Sequence, residues 1–137
     1  MNIRKATLKD CPALEQINVL AQKETGWWIP QNAQFYKKFL KKNNNDLLVA
    51  YKANNLIGFL SLEYNKEQKS TWINDVFVIP SSRKKGIAKQ LVKMAINRWK
   101  NKSSSIVLLT SDNNMPVFER MGFKKKLNFM RLSRSED

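Results

Sequence analysis

Histidine is absent from this chain, and cysteine occurs once, at Cys11. The first absence removes Ser-His-Asp and Cys-His catalysis, histidine-ligated zinc and any imidazole base. The second excludes an internal disulfide and a four-thiolate zinc site. No apolar run approaches the roughly 18 residues that a membrane helix needs. Met1–Lys5 is followed by no apolar stretch of signal-peptide length. A reducing cytoplasm is the expected setting, with no membrane partner and no metal. Acidic residues are scarce as well: 11 Asp and Glu stand against 25 Lys and Arg, for a formal net charge of +14. Such a field attracts the phosphates of a nucleotide cofactor or RNA, or an acidic protein partner, and repels polycations such as polyamines and aminoglycosides. The same count also arises in a chain that is simply rich in lysine and asparagine. What remains open is chemistry run by carboxylates, backbone dipoles, Tyr, Lys, Ser or a bound cofactor.

The 137 residues are 42% hydrophobic, enough for one buried core, so residues 1–137 are expected to form a single domain. No repeat or linker is visible. Ile3–Thr7 reads as a strand. Asp10 and Pro12 suit a helix start, and Leu14, Ile17 and Ala21 carry helical spacing up to Gly26. An aromatic loop, Trp27–Pro30, precedes a lysine-rich helix with Phe35, Tyr36, Phe39 and Leu40 on one face. Leu47–Tyr51 is continuously apolar, as in a strand buried on both sides. Asn54-Asn55 suits a hairpin turn into Leu56–Tyr64. Thr71–Ile79 is a third core strand, stopped by Pro80. Gly86–Lys100 is the most regular helix, with Ile87, Leu91, Ala95 and Trp99 four residues apart. Ile106–Thr110 reads as a strand, Asn114–Met121 as a short helix ending at Gly122, and Phe123–Leu132 as a last strand or hairpin. The order is β-α-α-β-β-β-α-β-α-β, an α/β fold with a central mixed sheet flanked by helices.

The chemistry concentrates between the third core strand and the long helix. A strand, then Pro80-Ser81-Ser82-Arg83-Lys84-Lys85-Gly86-Ile87-Ala88, then a helix is a phosphate-binding layout. The helix N-terminus offers unpaired N–H groups and the positive end of the dipole. Gly86 admits a close approach, Ala88 is the smallest residue after glycine, and Arg83, Lys84 and Lys85 add charge. No Gly-Lys-Ser/Thr is present, and the glycine spacing does not fit a dinucleotide fingerprint. A basic helix start with one glycine for its turn is the bland alternative.

The segment Val76–Ala88 resembles the acyl-CoA signature of the GNAT superfamily of N-acyltransferases, Arg/Gln-x-x-Gly-x-Gly/Ala. Ile3–Asp10 is similar to that family's opening strand. Val117-Phe118-Glu119-Arg120-Met121-Gly122-Phe123 is similar to its Phe-Tyr-Glu-Lys-x-Gly-Phe segment. The three motifs stand in the right order, and the order of elements agrees with the family over essentially the whole chain. The resemblance implies a single GNAT-like domain and acetyl-CoA as cosubstrate. The amine acceptor would attack the thioester directly, with both substrates bound. It further implies that Val76, Phe77 and Val78 splay from the neighbouring strand to pair with the pantetheine arm. A backbone N–H at Phe77 or Val78 would then polarise the thioester carbonyl. Amides of Arg83, Lys84, Lys85, Gly86, Ile87, Ala88 and Lys89 would hold the pyrophosphate. Asn114 would contact the cofactor and Arg120 a phosphate of the nucleotide. Family members are often dimers, so a homodimer is a further expectation.

Two positions depart from the family pattern. The usual tyrosine that protonates the departing thiolate is Phe118 here, which has no proton to give. A thiol with a pKa of about 8.5 can leave with help from water. The acidic residue found in relatives on the third core strand is Asn74, which leaves Asp75, or Glu63 on the adjacent strand, as the base. The alternative for each is a solvated strand-end charge. Trp27, Trp28, Tyr64 and Trp72 would line an acceptor pocket or pack in the core. Cys11 reads as a small buried hydrophobe. Besides a small amine, the basic surface suits an amine on a protein or on aminoacyl-tRNA. Phe118 and Asn74 also suit a non-catalytic CoA-binding regulator, and the lysine clusters a nucleic-acid-binding protein.

Overall fold

The computed structural model describes residues 1–110, 114–128, 130 and 132. Five strands, β1 (Asn2–Lys5), β2 (Asn45–Lys52), β3 (Asn55–Asn65), β4 (Ser70–Val78) and β5 (Ser105–Leu108), form one sheet in the order β1-β2-β3-β4-β5. The first three pairings are antiparallel, and β4 pairs with β5 in parallel. The parallel pair requires a crossover, which the helix α3 (Ile87–Trp99) supplies. Helices α1 (Cys11–Thr25), α2 (Ala33–Leu40) and α4 (Met115–Arg120) complete the fold.

The apolar run of β2 serves two cores, because successive strand residues point to opposite faces. Leu48 and Ala50 join Leu60, Leu62, Ile73 and Val78 beneath α3, which contributes the stripe Ile87, Leu91, Val92, Ala95 and Trp99. Leu47 and Val49 join Phe59 and Phe77 beneath α1 and α2, which contribute Cys11, Leu14, Ile17, Ala21, Tyr36 and Phe39. Truncating a fully buried side chain such as Leu91 to alanine would cost about 2–5 kcal/mol. A buried carboxylate locks the end of α3. Asp46 accepts from Trp99 Nε1 at 2.7 Å and from Arg98 Nε at 2.6 Å.

Three local expectations change. The β2–β3 turn is Ala53-Asn54 rather than Asn54-Asn55. Lys52 pairs with Asn55, so the positive φ of 54° falls on Ala53. Asp10 does not cap α1 with its side chain. Its carboxylate instead takes two bonds from Arg4, at 2.8 and 2.9 Å, with the Thr7 N–H at 2.7 Å and the Tyr51 hydroxyl at 2.8 Å. The Arg4 bonds hold its pKa down to about 2, against the opposing pull of burial. The closing strand expected over 123–132 is not part of the described sheet. Residues 123–128 carry no strand, and 129, 131 and 133–137 lie outside the described residues.

Candidate active site

Parallel pairing of β4 with β5 runs only from Ser70 to Ile73, opposite Ser105–Leu108. Beyond Ile73 no described residue pairs with β4 on that side. A bulge starts the divergence. Against β3, Leu62 faces Ile73 and Ser61 faces Asp75, which leaves Asn74 as the extra residue. Such an insertion bends the strand and re-aims the side chains after it. Ile73 thus belongs to the α3 core, while Phe77 packs on the α1–α2 side. Asp75, two residues before Phe77 and bonded to Ser61, shares the α1–α2 face.

The backbone of the open edge obeys the same alternation. Ile79 N–H donates to Ile57 O at 2.9 Å. Phe77 O lies 3.0 Å from where a Cβ on Gly58 would sit, so both groups face β3. The N–H and C=O of Val76 and Val78 therefore point to the unpaired side. Arg83 Nε reaches Val78 O there, at 2.8 Å.

After one 3-10 turn at Pro80–Ser82, Lys84 and Gly86 both adopt positive φ, 63° and 80°. Left-handed residues in such a turn gather successive N–H groups into an anion-binding concavity. Gly86 caps α3, and a Cβ there would meet nothing within 4 Å, so space is open over the turn. Among the described residues nothing accepts from the N–H groups of Ile87, Ala88 and Lys89, and the first closed bond is Gln90 N–H to Gly86 O at 3.0 Å. Those free donors coincide with the positive end of the α3 dipole.

A family model described as the acetyltransferase (GNAT) domain matches residues 15–129, most of the chain. The chain belongs to the GNAT family. No curated protein matches it. Solved structures share its fold. A transcriptional regulator from Bacillus halodurans C-125 superposes with a TM-score of 0.81 at 24% identity, covering 96% of this chain and 98% of that one. A predicted acetyltransferase with acetyl-CoA from Clostridium acetobutylicum gives 0.75 at 23% identity, covering 96% and 95%. An aminoglycoside acetyltransferase from an uncultured soil metagenomic sample, solved with sisomicin, gives 0.76 at 17%, covering 98% and 96%.

Within this GNAT fold the expected carboxylates sit in different surroundings. Asp75 is half-buried and accepts the Ser61 hydroxyl at 3.1 Å. Burial raises its pKa, against the opposing effect of that bond. Glu63 is exposed and accepts Asn74 Nδ2 at 3.1 Å. Phe118 is buried in the α3-side core, edge-on to Phe123, and Asn114 caps α4 without using its side chain. Arg120 lines a shallow cleft of about 340 Å³ with Lys89, Lys93, Ile96, Asn97 and Met121. Trp28 is a core residue, edge-on to Phe77, and Tyr64 stacks on Trp99 across the sheet from α1 and α2. Trp27 and Trp72 remain exposed. Cys11 is fully buried, and burial raises its pKa.

Three residues escaped sequence reasoning. Asn18 is fully buried, and its Oδ1 accepts Trp28 Nε1 at 2.9 Å and Gln31 N–H at 3.0 Å. Its Nδ2 reaches Tyr36 Oη at 2.9 Å and Leu14 O at 2.8 Å. This one amide ties α1, the aromatic loop and α2 together. Its only sequence signal is a polar residue one position from Ile17, at the margin of the apolar stripe. Glu24 binds Arg83, and Ser61 holds Asp75. Neither pairing has a signature, since 59 and 14 positions separate the partners.

Proposed function

We propose that the protein is an N-acetyltransferase that takes acetyl-CoA and passes its acetyl group to a primary amine by direct attack. The observation that carries this reading is two separate sets of unpaired donors, one at the open edge of β4 at Val76 and Val78 and one at the start of α3 at the amides of Ile87, Ala88 and Lys89. Between them, the N–H groups of Ile79, Ser82 and Arg83 are bonded within the chain. An extended amide-bearing arm can add to the edge as a strand would. A pyrophosphate suits the nest above Gly86, where a Cβ would have no neighbour within 4 Å. When bound, acetyl-CoA supplies an activated thioester.

The remaining roles belong to this chain. The N–H groups of Val76 and Val78 both face the open edge, and that of Val78, at the end of the strand nearer the phosphate turn, is the group offered to the thioester carbonyl oxygen. Arg83, Lys84, Lys85 and Lys89 supply positive charge about the phosphates, and Arg120 meets the nucleotide end. Asp75 takes the proton of the arriving ammonium. Its pKa is raised by burial, which brings a carboxylate closer to the working range of a base, and the Ser61 hydroxyl fixes its orientation. Glu63, exposed beside Asn74, meets the ammonium earlier on its path. Phe118 offers no proton, so the departing thiolate takes one from water. The net charge of +14 favours a single amine, or an amine on an acidic partner, over a polycation.

Gly86→Val tests the site. Valine is strained at the φ of 80° that Gly86 adopts and projects into the nest. Acetyl-CoA should bind at least about tenfold more weakly by calorimetry, equivalent to about 1.4 kcal/mol. Equal affinity in a folded variant would remove the site. Thiol release from acetyl-CoA with a panel of amines tests the activity, and binding without turnover of any amine would favour a CoA-binding regulator.

A further inference from the structure

We propose that Glu24 is a resident competitor for the Arg83 guanidinium, which yields to the cosubstrate and thereby releases the aromatic loop over the acceptor side. The proposal rests on the reading that the turn before α3 binds acetyl-CoA. Arg83 Nη1 donates to Glu24 Oε2 at 2.7 Å, and Nη2 donates to the other carboxylate oxygen. The fork is therefore filled in the way a phosphate would fill it, since guanidinium binds either anion bidentately but not both at once. The rest of the group is anchored on the cofactor strand. Nε holds Val78 O at 2.8 Å, and the guanidinium carbon lies 5.4 Å from the centre of the Phe77 ring.

Glu24 stands in the last turn of α1, where a negative charge opposes the helix dipole. Arg83 offsets that penalty. The aromatic loop starts immediately after this helix end. Thr25 Oγ1 accepts the N–H groups of Trp27, at 3.3 Å, and Trp28, at 3.0 Å, and Gly26 ends the helix at φ 74°. Trp28 then packs edge-on to the same Phe77 ring, with centroids 5.5 Å apart. The end of α1, the loop and the phosphate turn thus share one cluster, Glu24–Arg83–Phe77–Trp28. A phosphate that takes the fork frees Glu24, and the end of α1 loses its tie to the turn. A ligand shifts such a balance only through contacts that differ between the two states, and exchange of the Arg83 partner is that difference.

The test uses coenzyme A itself and needs no acceptor. Glu24→Gln removes the competitor. CoA should bind about three- to fivefold more tightly at low salt, the affinity equivalent of breaking a half-exposed ion pair. In an Arg83→Gln background the same change should alter affinity by less than about twofold, because the shared group is gone. CoA should also shift the emission of exposed Trp27 in the natural chain, a signal lost in Trp27→Phe. In Glu24→Gln the emission should start near the CoA-bound value. Unchanged or weaker binding by Glu24→Gln overturns the proposal. So does equal tightening without Arg83, which would mark a diffuse charge effect, or Trp27 emission that ignores bound CoA. If the natural chain binds no CoA, the acetyl-CoA reading itself falls.

Discussion

Replacing Asn18 with leucine isolates the hydrogen bonds that hold the aromatic loop, because the two side chains are similar in size. The substitution leaves Trp28 Nε1, the Tyr36 hydroxyl and the Gln31 N–H without their partner. Gln31 is only partly buried and can turn to water, whereas Trp28 and Tyr36 are buried. An unsatisfied buried polar group costs about 1–3 kcal/mol, so two of them give about 3 kcal/mol after partial relaxation. For 137 residues the unfolding entropy is about 0.3 kcal/mol/K, so the melting temperature should drop by about 10 °C. Differential scanning calorimetry measures this directly, with Val19→Leu, an exposed neighbour, as the control near zero. The loop should also loosen, with Trp28 emission moving toward that of a wetter indole. A drop of less than about 3 °C would show that water or rearranged neighbours satisfy these groups, and the account of Asn18 as an organising residue would fail.

Asp75→Asn should separate stability from activity. Its carboxyl has a raised pKa in the fold, so folding favours the protonated form at low pH. That advantage is lost as pH rises through the folded value, and at pH 7 the ionised group is a burden. The variant should therefore melt higher than the natural chain at pH 7, while kcat/KM for acetyl transfer falls by about 10²–10⁴-fold, with partial recovery at higher pH as free amine accumulates. A lower melting point, or full activity, contradicts the assignment, and loss on Glu63→Gln alone would move the base there. Asp10 behaves oppositely. Its pKa is depressed to about 2 by Arg4, so its contribution is complete above the unfolded value of about 3.9 and disappears as pH falls through about 2. Asp10→Asn should lower stability at pH 6 and flatten the acid limb between about pH 4 and 2 in urea titrations. An unaltered limb would mean that the Arg4–Asp10 pair is not a folding contact.

The order of elements from β1 to α4 was legible because periodicity and turn chemistry are local properties. Ile87, Leu91, Ala95 and Trp99 announce one face of α3, and the unbroken run Leu47–Tyr51 announces a strand covered on both sides. The turn before α3 was legible too, since the glycine that ends it, Gly86 at φ 80°, acts through backbone geometry within a few positions. Only the tertiary structure placed the rest. The bulge at Asn74 exists because β3 and β4 pair out of step, and it alone turns Asp75 toward α1 and α2. Val78, rather than Phe77, faces the open edge because Ile79 and Phe77 are already committed to β3. Asn18, Ser61 and Glu24 take their roles from partners distant along the chain. A hydrogen bond depends on where two groups end up, and a single polar residue carries no record of the partner that folding brings to it.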